Sequence, residues 1–195
     1  MGKEELRKRA LEGRHSLKPQ EIARLSVAIG QNLLSLPEFR RAETIALYVA
    51  KEDEVQTAEI IQSAISAGKR VVAPRTEGST SHMKFQQIRA MDDLETGDFG
   101  VLEPRESQPV VPLSESQVVI VPVVAWDGRG YRLGYGKGYF DAELPKRGRA
   151  VAIGLALESQ RIDRIPETDS DVPLDMIVTE MRIVRFSKAG GSQSR

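Results

Sequence analysis

The residues best suited to chemistry lie in one segment, Trp126 to Asp141 (WDGRGYRLGYGKGYFD). Five glycines there (Gly128, Gly130, Gly134, Gly136 and Gly138) follow a strand-like VVIVP run. Glycine at that density after a strand lets backbone N–H groups close around an anion, usually a phosphate, with basic side chains adding charge. Arg132 and Lys137 supply that charge. Tyr135 and Tyr139 can stack on or hydrogen-bond a flat ligand, and Asp141 ends the run where a carboxylate can hold the metal ion of a phosphate. On glycine count alone, a glycine-rich hairpin is an equally good reading. The spacing, G-x-G-x-G, matches neither the P-loop G-x-x-x-x-G-K-[ST] nor the dinucleotide G-x-G-x-x-G, because Tyr139 takes the place of the last glycine. Standard kinases and dehydrogenases lose support.

Other candidates lie far from this segment in the chain. Lys3 and Arg7 are one helical turn apart and share a face, a pattern that a solvated basic helix also shows. Glu54 sits in the acidic run KEDE just past a strand, where open α/β sheets place ligands and where acidic surface loops are also common. Asp141 can instead cap a helix starting at Ala142, and Asp171 can be a turn residue before Pro173. The only histidines, His15 and His82, read as surface residues, Tyr48 as core, and Trp126 as packing on the glycine loop or closing a pocket.

These residues need a scaffold, and the hydrophobic periodicity supplies one. A basic helix with few apolar residues runs from Lys3 to about Gly13. A stronger one follows Pro19, with Ile22, Leu25, Ile29, Leu33 and Leu36 at spacings of three and four before Pro37. Ile45–Val49 reads as a buried strand, Thr57–Ala67 as a helix closed by Gly68, and Arg70–Pro74 as a strand. Strand, helix, strand over that length is a βαβ unit, so the sheet is at least partly parallel. Met83–Ile88 alternates like a half-buried strand and Val118–Val121 reads as a central one. Ala150–Ala156, Met176–Thr179 and Arg182–Phe186 complete the strands. No internal repeat or dividing linker is visible. The expectation is one domain over 1–188 and a disordered tail, AGGSQSR, at 189–195.

With 40% hydrophobic residues, the 195-residue chain can bury a substantial core. Lys plus Arg and Asp plus Glu are both 28, so no overall field recruits nucleic acid or an anionic membrane. Cysteine is absent, which removes disulfides, thiolate ligands and a cysteine nucleophile. The N-terminal MGKEELRKRALEGRH is charged throughout, and no window has the length of a membrane span. The expectation is a cytoplasmic protein.

The motifs together resemble the 5-formyltetrahydrofolate cyclo-ligase family, also called methenyltetrahydrofolate synthetases. Arg132-Leu-Gly-Tyr-Gly-Lys-Gly-Tyr-Phe-Asp141 is similar to the family's R-L-G-x-G-x-G-Y-[YF]-D. Lys3-Glu-Glu-Leu-Arg7 resembles its K-x-x-[LI]-R and Glu54-Val-Gln-Thr57 its E-[VI]-x-T. Phe99-Gly-Val-Leu-Glu-Pro104 resembles its F-G-[IV]-x-E-P, and Asp171-Val-Pro-Leu-Asp175 its D-V-x-[LV]-D. The matches keep their order from Lys3 to about Phe186.

The resemblance implies a three-layer α/β/α fold with a mostly parallel central sheet, and an ATP- and magnesium-dependent conversion of 5-formyltetrahydrofolate, with or without a polyglutamate tail, to 5,10-methenyltetrahydrofolate. It assigns ATP to Lys3, Arg7, Arg132, Gly134, Tyr135, Gly136, Lys137, Gly138, Tyr139 and Phe140. Within that set Arg132, Lys137 and Tyr139 would act on the transferring group. Val49, Glu54 and the backbone from Tyr135 to Tyr139 would meet the folate, and Asp141 and Asp171 the metal. Ser170 stands where the family often has histidine, Val123 where glycine is common, and Phe140 lacks a hydroxyl. A kinase or carboxylate ligase with the same loop, and a folate- or nucleotide-binding protein without turnover, are the competing readings.

Overall fold

A computed structural model describes residues 1–78, 82–97 and 100–187. Phe99 of the F-G-V-L-E-P match and the expected tail at 189–195 lie outside the described residues. In chain order the helices are α1 (Lys3–His15), α2 (Pro19–Ser35), α3 (Pro37–Arg41), α4 (Ala58–Ser66) and α5 (Tyr139–Glu143). The strands are β1 (Thr44–Leu47), β2 (Arg70–Thr76), β3 (Met83–Ile88), β4 (Leu94–Thr96), β5 (Leu102–Pro104), β6 (Val118–Pro122), β7 (Ala125–Trp126), β8 (Arg132–Leu133), β9 (Val151–Leu155), β10 (Met176–Val178) and β11 (Ile183–Arg185).

Seven strands form the central sheet in the order β11-β10-β9-β6-β1-β2-β3. The five inner strands are parallel, and β3 and β11 close the two edges antiparallel. Strand side chains alternate between faces, and the sequence obeys this strictly. Ile45, Leu47, Val71, Ala73, Val118, Ile120, Ile153 and Leu155 point to one core. Ala46, Val72, Val119, Val121 and Ala152 point to the other.

The first face is covered by α2, α3 and α4. Proline opens both α2 and α3, and Ile29, Leu33, Phe39, Ile60 and Ile61 supply the buried stripes. The second face carries a thinner layer: α5 with Tyr139 and Phe140, the single turns at Leu113–Glu115 and Leu144–Arg147, and buried Trp126. This is the expected three-layer α/β arrangement around a mostly parallel sheet, with one layer built from short pieces.

The long α2 and the βαβ unit appear where periodicity places them. The first strand is shorter than expected and ends at Leu47. Tyr48 and Val49 leave the sheet because the chain folds back on itself: the Tyr48 hydroxyl donates to Val55 O (2.9 Å) and Thr57 Oγ1 donates to Tyr48 O (2.9 Å). Helix α1 is better anchored than its sequence suggests. Leu6, Ala10 and Leu11 pack on a small separate core of Val124, Ala125, Leu133 and Ile165. Among the described residues, no helix is long and apolar enough to cross a membrane.

Candidate active site

The carboxyl ends of β1, β2 and β6, marked by Tyr48 just past β1 and by Thr76 and Pro122 as the last residues of β2 and β6, open onto a cleft of about 470 Å³. This is the edge at which open parallel sheets accommodate ligands.

The glycine segment reaches the cleft through a hairpin of β7 and β8. Its turn is organised by fully buried Asp127, whose Oδ1 accepts from the N–H groups of Arg129 (2.9 Å) and Tyr131 (3.3 Å). Asp127 Oδ2 accepts from the Ile165 N–H at 3.0 Å and so ties the turn to a distant segment. Beyond the hairpin, Gly134, Tyr135, Gly136, Lys137 and Gly138 form the wall of the cleft. Gly136 has φ +95°, and a Cβ there would come within 3.1 Å of Arg7 Cζ. Gly138 has φ +75° as the residue that caps α5. Side chains are strained at both by backbone conformation, and one at Gly136 would also crowd Arg7.

Helix α1 lies directly on this loop. Arg7 Nε donates to Gly134 O at 2.7 Å, and Lys3 donates to Asp171 Oδ2 in a part-buried ion pair. Asp171 Oδ2 also accepts from Thr168 N (2.6 Å) and Thr168 Oγ1 (3.0 Å). Burial pushes the Asp171 carboxyl up, but Lys3 and Thr168 outweigh it and hold the group below the ordinary carboxylate range.

Arg132 is buried and does not point freely at a ligand. Its Nη1 donates to Val172 O (2.8 Å) and its Nη2 to Asp141 Oδ1 (3.1 Å), which also accepts from Val172 N (3.1 Å). Burial lowers the pKa of Arg132, opposed by the Asp141 charge beside it. Asp141 sits in the first turn of α5, which begins at Tyr139, so the alternative in which it caps a helix from Ala142 does not hold. Within the hydrogen bonds of the described residues, Asp141 Oδ2 and Asp171 Oδ1 remain unused.

On the side nearest α4, Glu54 is buried and its Oε2 accepts from the Lys51 N–H at 2.8 Å. Burial raises its pKa, the Lys51 amide and the Arg14 charge opposing. It is therefore no surface carboxylate. Val49 lines the cleft beside it, with Pro74, Met83, Pro122 and Leu133 adding apolar walls.

Thus every site residue expected from the sequence lines this one cleft: Lys3 and Arg7; Val49 and Glu54; Arg132; Gly134 to Phe140; Asp141 and Asp171. Chemically, one part offers a glycine loop, cations and two carboxylates, suited to a polyphosphate with a divalent ion. The other offers apolar walls and a buried acceptor, suited to a flat heterocycle with N–H donors.

The model of the family described as "5-formyltetrahydrofolate cyclo-ligase family" matches residues 1–180. The chain belongs to this family. The 5-formyltetrahydrofolate cyclo-ligase of Haemophilus influenzae is 34% identical over 156 residues, covering 77% of this chain and 83% of that protein. The solution structure of the Aquifex aeolicus 5,10-methenyltetrahydrofolate synthetase superposes with TM-score 0.85 at 34% identity, over 100% of this chain and 97% of that one. A Mycoplasma pneumoniae 5,10-methenyltetrahydrofolate synthetase superposes with TM-score 0.75 at 27% identity, covering 92% and 99%.

The positions at which this cyclo-ligase family member departs from the pattern are quiet in the structure. Ser170 lines the cleft 3.1 Å from Thr168 Oγ1, Val123 is core, and Phe140 packs beneath the loop. Trp126 does not line the cleft; it is core, with Nε1 3.4 Å from Leu157 O. Residues that sequence reasoning left without a role also stand in the walls: Tyr48, Lys51, Thr76, Met83 and buried Glu103, which accepts from Thr76 Oγ1 at 2.8 Å. Glu103 lies inside a matched motif, which was a signal for it. Arg14, behind the wall, lies two helical turns after Arg7 and so on the same face of α1, a register that was open to view.

Proposed function

We propose that this protein uses ATP and magnesium to convert 5-formyltetrahydrofolate to 5,10-methenyltetrahydrofolate, ADP and phosphate. The observation that carries the reading is the convergence of Lys3, Arg7, the 134–138 loop, Asp141 and Asp171 on the cleft that also holds buried Glu54.

A formamide oxygen is a poor leaving group, so it must be activated. In the proposed reaction the formyl oxygen attacks the γ-phosphorus and ADP leaves. N10 then attacks the formyl carbon, the C–O bond breaks, and inorganic phosphate departs with the former formyl oxygen as N10 gives up its proton. No protein nucleophile is required. The chain must align the formyl oxygen with the γ-phosphate and neutralise charge on the group in flight.

In this assignment Lys3, Arg7, Lys137 and the loop backbone hold the phosphates, and Tyr139 and Phe140 wall the nucleotide. Arg132 acts from its pair with Asp141. Glu54 accepts from pterin donors beside Val49. Asp141 and Asp171 would hold magnesium through their unused oxygens. No cluster of three acidic or histidine ligands exists among the described residues, so nucleotide and water must complete the coordination, as fits this metal. When bound, the ion supplies positive charge against the developing phosphate charge. A cytoplasmic location and activity on polyglutamylated folate belong to the same proposal.

The mechanism is tested by oxygen-18 in the formyl group. Label recovered in inorganic phosphate supports it, and label lost to water without entering phosphate overturns it.

A further inference from the structure

Arg14 is buried at the last turn of α1, and its Nη2 donates to both Asp53 Oδ2 (2.5 Å) and the Tyr135 hydroxyl (2.6 Å). Its guanidinium carbon lies 5.5 Å from the centre of the Tyr135 ring. The Tyr135 hydroxyl stands 3.5 Å from Asp53 Oδ1, and His15 Nε2 lies 3.1 Å from Asp53 Oδ2. One guanidinium therefore joins three elements: α1, which carries Lys3 and Arg7; the 50–57 loop, which carries Glu54; and the glycine loop, through its only residue with a ring between Gly134 and Gly138.

Stability does not account for this arrangement. Arg14 Nε is buried with no hydrogen-bond partner among the described residues. A buried ion pair is commonly no more stabilising than a well-packed apolar group of the same volume, and a buried orphan donor is a cost. What the guanidinium provides is two directed bonds from one terminal nitrogen, Nη2, held at the end of a long stem by a rigid plane.

We propose that Arg14 is a positioning residue that couples the two halves of the site, holding Tyr135 so that the glycine loop and the Glu54 loop keep one relative geometry. This rests on the proposed ATP and folate assignments and extends them to a residue outside the cleft wall. It has a distinctive consequence. Loss of Glu54 should affect folate alone and loss of Lys3 and Arg7 should affect ATP alone, whereas loss of Arg14 must weaken both substrates together.

The test uses the full chain with Mg-ATP and 5-formyltetrahydrofolate. Arg14→Met, which keeps most of the volume, should raise both KM values about tenfold, the scale of one charged hydrogen bond, while the melting temperature changes little. Arg14→Lys should not restore them, because both bonds leave Nη2 at the far end of the guanidinium, beyond the reach of the shorter lysine stem. Tyr135→Phe should raise both constants, and added to Arg14→Met it should have almost no further effect, since the two act through one contact. Unchanged KM values in Arg14→Met, a change in one KM alone, or additive effects of the two substitutions would overturn the proposal. A second readout is independent of turnover. In the ligand-free protein, Arg14→Met should speed amide hydrogen exchange in both 134–138 and 51–55, and an increase confined to α1 would overturn the coupling. If the parent protein shows no turnover, the functional assignment fails while the exchange measurement still decides the role of Arg14.

Discussion

Lys3 and Asp171 stand 168 positions apart in the chain and form an ion pair at the edge of the cleft. The cation assigned to phosphate thus rests on a carboxylate assigned to metal. Binding of nucleotide with its ion would exchange each partner for a new one of the same sign, which keeps both groups neutralised throughout.

Removal of the phosphate-facing cations tests this exchange. The pair is part-exposed, so Lys3→Ala with Arg7→Ala should cost about 1 kcal/mol or less in the ligand-free protein, a shift of about 2–4 °C at most. The stabilisation that Mg-ATP confers should mostly disappear, because a ligand stabilises the fold according to its affinity. Melting curves with and without Mg-ATP decide it. An equal ATP-induced shift in parent and double mutant would remove α1 from the nucleotide site.

The same pair predicts a pH dependence. Asp171 has a lowered pKa in the folded state, so its contribution is fully present above the ordinary aspartate value of about 3.9 and is lost as pH falls through the lowered value. The stability gap between the parent and Lys3→Ala, measured by urea unfolding at a series of pH values, should hold steady from neutral pH to about pH 5 and close at lower pH. A gap that widens on acidification would contradict the assignment.

Glu54 behaves in the opposite sense, because burial raises its pKa. As a carboxylate accepting pterin donors, it should lose folate affinity as pH falls, beginning above the range of an ordinary glutamate. Glu54→Gln should raise the folate KM about ten- to a hundredfold, abolish that limb of the pH profile, and leave the ATP KM nearly unchanged. Equal changes in the two constants would point to a general structural defect.

The contrast between Glu54 and Arg14 shows what the sequence made legible. The individual strands, the βαβ unit and the glycine loop follow from local periodicity and backbone requirements, which neighbouring residues encode, whereas the order of the strands in the sheet does not. The burial of Glu54 does not, since KEDE reads the same on a surface; a backbone amide three positions away and the packing of Tyr48 decide it. Arg132 reads as a source of charge for a phosphate, and the chain does not announce that Asp141 and Val172 enclose it. Arg14 carries no role in the sequence, because its partners, Asp53 and Tyr135, come from distant segments. Trp126, which reads either as packing on the glycine loop or as closing a pocket, is core on the face that carries Tyr139 and Phe140 and does not line the cleft.

Asp141→Asn separates metal chemistry from architecture. Asparagine keeps an oxygen for Val172 N and Arg132 but removes the charge, so the fold should survive with a loss of about 1–3 kcal/mol. The turnover rate should fall about a hundredfold or more, since the ion carries much of the charge stabilisation. An unchanged rate at saturating magnesium would count against Asp141 as a ligand.

The central claim, ATP-driven ring closure of a formylated folate in this cleft, is tested most directly by the near-ultraviolet absorbance of the methenyl product. Protein, Mg-ATP and 5-formyltetrahydrofolate together should give a steady rise in absorbance with one ADP formed per methenyl group, and omission of nucleotide or addition of EDTA should abolish it. No rise with all components present, or a rise that persists without nucleotide or with EDTA, would contradict the account.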